Sequence, residues 1–201
     1  MSQIQADKEL LKRLIVLAGM VKVELSKYFI KEAFEYPIDS LLFAIATGVI
    51  GRDEKAFTIY YRIKLEQKNR RLNTVAEYLS QTDLNALKDI LERCVGGLPE
   101  WFTDALKGLI DLNQKYELDC KKDLSDIDPD EFYKDFKDIR GVGEKVSLLG
   151  TCELCRIWNL KAPSDLRLPP DTREKLEKLG LSENDFDVKE LPYIDAVLYE
   201  L

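Results

Sequence analysis

The sequence predicts an all-α protein, and three observations predict it. Apolar residues recur at three- and four-residue spacing along nearly the whole chain, the period of half-buried helices. Strand-like alternation is scarce. Helix-opening and helix-closing residues bracket the periodic runs.

Taken in order, Leu10, Leu11, Leu14, Ile15, Leu17 and Ala18 make one face of a first helix. Pro37, at a favoured early position, opens a second, with Leu41, Leu42, Ala44 and Ile45 inward and Gly48 and Gly51 breaking it. A third is expected from about Asp53 to Arg71, with Ala56, Tyr60, Ile63 and Leu65 as its apolar contacts. Thr82 or Asp83 caps a helix through Leu84, Leu87, Ile90 and Leu91, and Gly96-Gly97 ends it. Pro99 starts another, carrying Trp101, Phe102, Ala105, Leu106, Leu109 and Leu112. Asp128-Pro129 begins a short helix with Phe132 and Phe136. Gly141-Val142-Gly143 is a turn, followed by an apolar helix from Lys145 to Trp158. The segment from Lys161 to Pro170 reads as a loop, Asp171 to Leu179 as an amphipathic helix stopped by Gly180, and Ile194 to Leu198 as a closing helix. There is no internal repeat and no low-complexity segment.

The 201 residues suit one large domain, or two small lobes around a shared core. No stretch approaches the roughly 20 apolar residues of a membrane span, and the N-terminus lacks the layout of a signal peptide. An intracellular protein of the cytoplasm or nucleoid, acting as a monomer away from membranes, is expected. The chain contains no histidine, so Ser-His-Asp and Cys-His nucleophiles and His-ligated metals are excluded. Acids, bases and nucleophiles must come from Asp, Glu, Lys, Tyr, Cys or Ser. Of the four cysteines, Cys152 and Cys155 form a CxxC inside a helix, where buried thiols are a better reading than a zinc or redox site. Neither metal nor cofactor is expected. The net charge of −7 weighs against coating a long run of phosphates, but not against gripping a few with backbone amides and a local basic patch.

The strongest local signal is Asp138-Ile139-Arg140-Gly141-Val142-Gly143-Glu144-Lys145. Glycines flank an apolar residue between two expected helices. They permit a tight turn and close backbone approach, while Val142 plugs the hairpin into the core. The turn amides and the next helix N-terminus suit a phosphate. A plain αα-turn has a similar composition.

This segment resembles the helix-hairpin-helix of the DNA glycosylase superfamily, whose pattern is G-[VI]-G-x-K, matched here by Gly141, Val142, Gly143 and Lys145. In that family an aspartate follows about twenty residues later, and Asp165 in Ala162-Pro163-Ser164-Asp165-Leu166-Arg167-Leu168 stands at that distance. Asp171 is a rival, because it precedes a better helix, and Pro169-Pro170 departs from the family pattern. Leu41-Leu42-Phe43-Ala44-Ile45 with Asp53 and Ala56 looks like the family's early helices. The resemblance implies a single glycosylase-like unit over residues 1–201, with two helical lobes, a cleft between them, and the helix-hairpin-helix at about 129–158. It implies damaged double-stranded DNA as partner. Its implied chemistry is base removal with abasic-site lyase activity, Lys145 being the nucleophile and Asp165 its carboxylate.

That chemistry suits these residue types. Cleaving an N-glycosidic bond develops positive charge on the sugar, which a carboxylate stabilises and an amine captures. Lys145 must be neutral to attack, and a helix N-terminus and burial both disfavour its charged form. The target base must leave the stack. No C-x6-C-x2-C-x5-C run follows, so the iron–sulfur cluster of some branches is absent. Leu191-Pro192-Tyr193-Ile194-Asp195-Ala196-Val197-Leu198-Tyr199 is similar to the C-terminal P-x-x-L-D-x-x-L-W of archaeal GO glycosylases, which implies 8-oxoguanine as the lesion. It also implies Asp195 and Tyr199 as base-pocket residues on one helix face. Arg62, Lys64, Lys68, Arg70 and Arg71 offer a second basic segment, read as a solvated face with a Glu66–Arg70 pair or as a phosphate contact. A non-catalytic helix-hairpin-helix DNA-binding module and an acidic helical adaptor for proteins stand as alternatives.

Overall fold

The computed structural model describes residues 3–50 and 53–198. These form α1 (Gln3–Ala33), α2 (Pro37–Ile50), α3 (Asp53–Asn69), α4 (Val75–Ser80), α5 (Leu84–Val95), α6 (Phe102–Tyr116), α7 (Pro129–Asp138), α8 (Glu144–Ile157), α9 (Pro170–Lys178) and α10 (Leu191–Leu198). Two short 3-10 turns, Glu183–Asp185 and Val188–Glu190, precede α10. No strand occurs among the described residues, so the all-α expectation holds. No helix there is long and apolar enough to cross a membrane.

Local chemistry explains most boundaries. Asp83 caps α5 by accepting from the amides of Asn85 and Ala86, and Asp128 caps α7 from Asp130 and Glu131, with Pro129 at the first helical position. Helix α4 escaped the sequence reading because it is short. Its signal was Thr74 followed three residues later by Glu77: Glu77 N donates to Thr74 Oγ1, and Glu77 Oε2 accepts from Asn73 N, the amide before the cap.

The buried side chains fall into two groups. One gathers α2 to α7, with Leu41, Ile45, Ile63, Leu91, Leu109 and Phe136 among its members. The other joins α1, α9 and α10 through Ile15, Leu166, Leu176, Leu191 and Ile194. Helix α8 belongs to both: Val146, Leu154 and Ile157 enter the first group, Leu148 and Cys152 the second. Burying a residue of this size contributes roughly 1.5–3 kcal/mol, so a helix buried on two sides has little freedom to shift. Its far end is also tied down, since Trp158 Nε1 donates to Ser40 Oγ of α2 at 3.0 Å.

Three expectations about faces need correction. In α1, Leu10, Leu14 and Leu17 are 53–58% exposed, and Ala18 is exposed as well. Helix α1 instead packs on α10 along Leu11, Ile15, Gly19 and Val23. Gly19 sets that face, because a Cβ there would lie 2.2 Å from the Tyr193 carbonyl oxygen. Apolar residues cover more than one side of α1, so spacing alone cannot choose between them. Leu65 and Ile90 are likewise exposed. Gly48 does not end α2; it lets α8 approach, a Cβ there falling 2.0 Å from Val146 Cγ2. Gly51 lies outside the described residues.

Candidate nucleic-acid interface and active site

The hairpin is a tight turn closed by Val142 N donating to Ile139 O at 2.9 Å. Gly141, its third residue, has φ +90°, the value a type II turn demands there. A side chain at Gly141 would also run into the Trp101 indole, with 2.1 Å from Cβ to the nearest ring carbon. Val142 is buried, as expected of a plug.

Gly143 has a different task. Its φ is −75°, open to any residue, and no heavy atom beyond its chain neighbours lies within 4 Å of where its Cβ would be. It is the N-cap of α8, and no side chain caps the helix. The first amides of α8 therefore face an uncrowded approach, the geometry in which a helix N-terminus accepts an anion. Arg140 stands beside this approach, 78% exposed and paired with Asp104 at 2.9 Å.

Lys145 projects from the first turn of α8. Its Nζ donates to Asp171 Oδ2 at 2.8 Å. Asp171 occupies the first turn of α9, which Pro170 opens. The Lys145 hydrogen bond holds the Asp171 carboxyl below the usual carboxylate range, so it is ionised at neutral pH. Both side chains are more than half exposed, 55% and 66%. The burial expected of Lys145 is not found.

Asp165, the carboxylate at the family spacing, is not the partner of Lys145. The loop carrying it is tied elsewhere: Ser164 N and Oγ both donate to Asp130 Oδ1, at 2.6 and 3.0 Å. Leu166 and Leu168 anchor the loop in the core. Asp165 is left exposed near Tyr133 of α7, whose hydroxyl is pushed up by burial and then by the charges of Asp165 and Glu144, against a hydrogen bond from Ser147.

Asp195 is not an open base-contact residue either. It is 1% exposed, and both oxygens are occupied from within the protein by Thr172 and Arg156. Tyr199 lies outside the described residues. Sequence reading missed Thr172 and Arg156; the only local signal was the acidic Glu153 one turn before Arg156.

The basic segment of α3 and the turn after it is largely engaged. Arg62 pairs with Glu66 at 2.8 Å, in place of the expected Glu66–Arg70 pair. Lys64 is buried against Glu35 and Asp39, and Arg70 lies over the Tyr78 ring. Cys152 is buried, with its thiol pushed well up, and burial lifts that of Cys155 to about 12. Both are free thiols. Among the described residues, no three His, Cys, Asp or Glu side chains converge as a metal ligand set. A cavity of about 420 Å³ lies between α1 and the Asn184–Asp187 segment, with Arg13, Leu17 and Phe186 in its wall and Lys145 outside it.

No family model, no curated protein and no solved structure matches this chain. The resemblance to glycosylases thus rests on the motif residues themselves.

Proposed function

We propose that this chain is a DNA glycosylase with abasic-site lyase activity, in which Lys145 is the nucleophile and Asp171 its carboxylate partner. One observation carries the reading. A lysine in the first turn after a glycine hairpin meets an aspartate in the first turn of another helix, 2.8 Å away, beside an uncapped helix N-terminus.

The arrangement supports each step the reaction needs. Hairpin and α8 amides hold a backbone phosphate. The damaged nucleotide is turned out of the duplex. Lys145 Nζ, its ammonium proton already lost to solvent, attacks C1′ as the base departs with the bonding pair. The proton that Nζ sheds on bonding passes through Asp171 to the base, which leaves Asp171 a carboxylate. Asp171 then stands where positive charge develops on the sugar. Ring opening gives a Schiff base between C1′ and Nζ. Loss of the C2′ proton expels the 3′ phosphate, and water releases the lysine. The 8-oxoguanine preference rests on Asp195 and Tyr199. Asp195 is closed off by Thr172 and Arg156, so the lesion is left to the trapping experiment.

The test is borohydride trapping on duplexes holding one 8-oxoguanine or one abasic site. A covalent band with wild type, absent in Lys145→Gln, is expected on the abasic duplex. A band on the 8-oxoguanine duplex as well would add the lesion. No band and no base release on either, with salt-sensitive DNA binding retained, would replace the enzyme with a binding module.

A further inference from the structure

Three helices meet at Asp195 of α10. Its Oδ1 accepts the Thr172 hydroxyl of α9 at 2.8 Å, and its Oδ2 accepts Arg156 Nη1 of α8 at 3.1 Å. Arg156 is also held by Glu153 and by the Pro192 carbonyl oxygen at 3.4 Å. Thr172 and Asp195 are each 1% exposed. A carboxylate this deep is costly to bury unless it is paired and fully hydrogen-bonded. Here every bond it makes joins two elements.

Those elements are the ones that carry the proposed chemistry. Lys145 is on α8 and Asp171 on α9. Helices α8 and α9 both pack on α10, whereas α9 has no comparable packing on α8 among the described residues. Thr172 is the residue after Asp171. Arg156 stands eleven positions beyond Lys145, about three turns along α8 and on the same face. The ion pair of Lys145 and Asp171 is exposed, and exposed pairs supply little rigidity of their own. The buried Thr172–Asp195 bond, one residue from Asp171, supplies what it lacks.

We infer that Asp195 is a positioning residue for the Lys145–Asp171 pair, acting through the Thr172 hydroxyl. Its consequence for rate rests on the proposed glycosylase reading; its geometry does not. Arg156 fixes Asp195 to the helix of the nucleophile, and Asp195 fixes the first turn of α9. The carboxylate read from the sequence as a base contact thereby acts one layer behind the site.

The test removes one hydroxyl. Thr172→Val keeps the volume and loses the bond to Asp195, whereas Thr172→Ser keeps the bond. Folding is checked by circular dichroism and melting, and the Asp171 carboxyl is titrated by carbon-13 NMR. The single-turnover cleavage rate and the affinity are measured on an abasic-site duplex. In the valine variant, the Asp171 pKa is expected to rise toward the ordinary carboxylate value. The rate falls about 10- to 100-fold, as for a misplaced reacting group, with affinity kept; serine retains wild-type behaviour in both. A valine variant with the wild-type Asp171 titration overturns the inference, whatever its rate. If wild-type protein cleaves nothing, the glycosylase reading fails, and the Asp171 titration alone still decides the positioning role. Should valine fail to fold, Thr172→Ala is titrated in its place and read in the same way.

Discussion

Lys145 and Asp171 are 26 residues apart in sequence and 2.8 Å apart in space, each from the opening turn of its helix. Asp171→Asn keeps the shape and removes the charge. It is expected to slow single-turnover cleavage by roughly 100-fold, the size of a lost proton-transfer partner. Asp165→Asn leaves the rate near wild type, and a reversed ranking of the two variants would restore the family spacing. Acid provides a second check. The folded-state pKa of Asp171 is depressed, so the stability from its pair is present above the ordinary value of 3.8 and is lost as pH falls through the lower folded value. Asp171→Asn should flatten that acid limb in a pH series of thermal melts. At this scale the sequence was half legible. Gly141 was readable because its left-handed backbone and the approach of Trp101 demand glycine, and Lys145 because of the motif it completes. The choice of carboxylate was not, because it depends on the Ser164–Asp130 tether and on where Pro170 starts α9. Asp195 was misread because helix spacing shows which residues share a face, not what that face meets.

At the scale of elements, the hairpin separates two uses of glycine. Gly141→Ala forces a side chain into a left-handed backbone and into Trp101. The cost is roughly 3 kcal/mol, seen as a lower melting temperature. Gly143→Ala meets neither obstacle, so stability changes by less than about 0.5 kcal/mol. DNA affinity falls instead, because the added methyl takes up part of the uncrowded approach to the α8 N-terminus. Equal losses of stability in the two variants would contradict this division. Helices α5 and α7 were legible from caps and period, and α8 from its period and the glycine turn before it. The outward face of α1 was not, since the deciding fact is how closely Gly19 admits the α10 backbone.

For the whole molecule, a net charge of −7 and an engaged basic segment around α3 leave the proposed DNA contact a small phosphate footprint. Affinity for DNA should fall only shallowly with salt, by about 2–3 log units per log unit of salt, corresponding to two or three neutralised phosphates. A slope of about six or more would demand a broad basic surface. The long-range design was the least legible part of the chain. Which helices share a core is decided by contacts such as Trp158 with Ser40, which no local pattern encodes.

The seam between α1 and α10, with Gly19 against the Tyr193 backbone and Lys22 Nζ on the Ala196 carbonyl at 2.7 Å, has a mechanical side. A load applied through these two helices, as in an optical trap, reaches this seam before the larger group of α2 to α7. Tearing α10 away takes Asp195 and its bonds to Thr172 and Arg156 with it, so the proposed reactive geometry would go while the bulk still stood, as a latch gives way before the door.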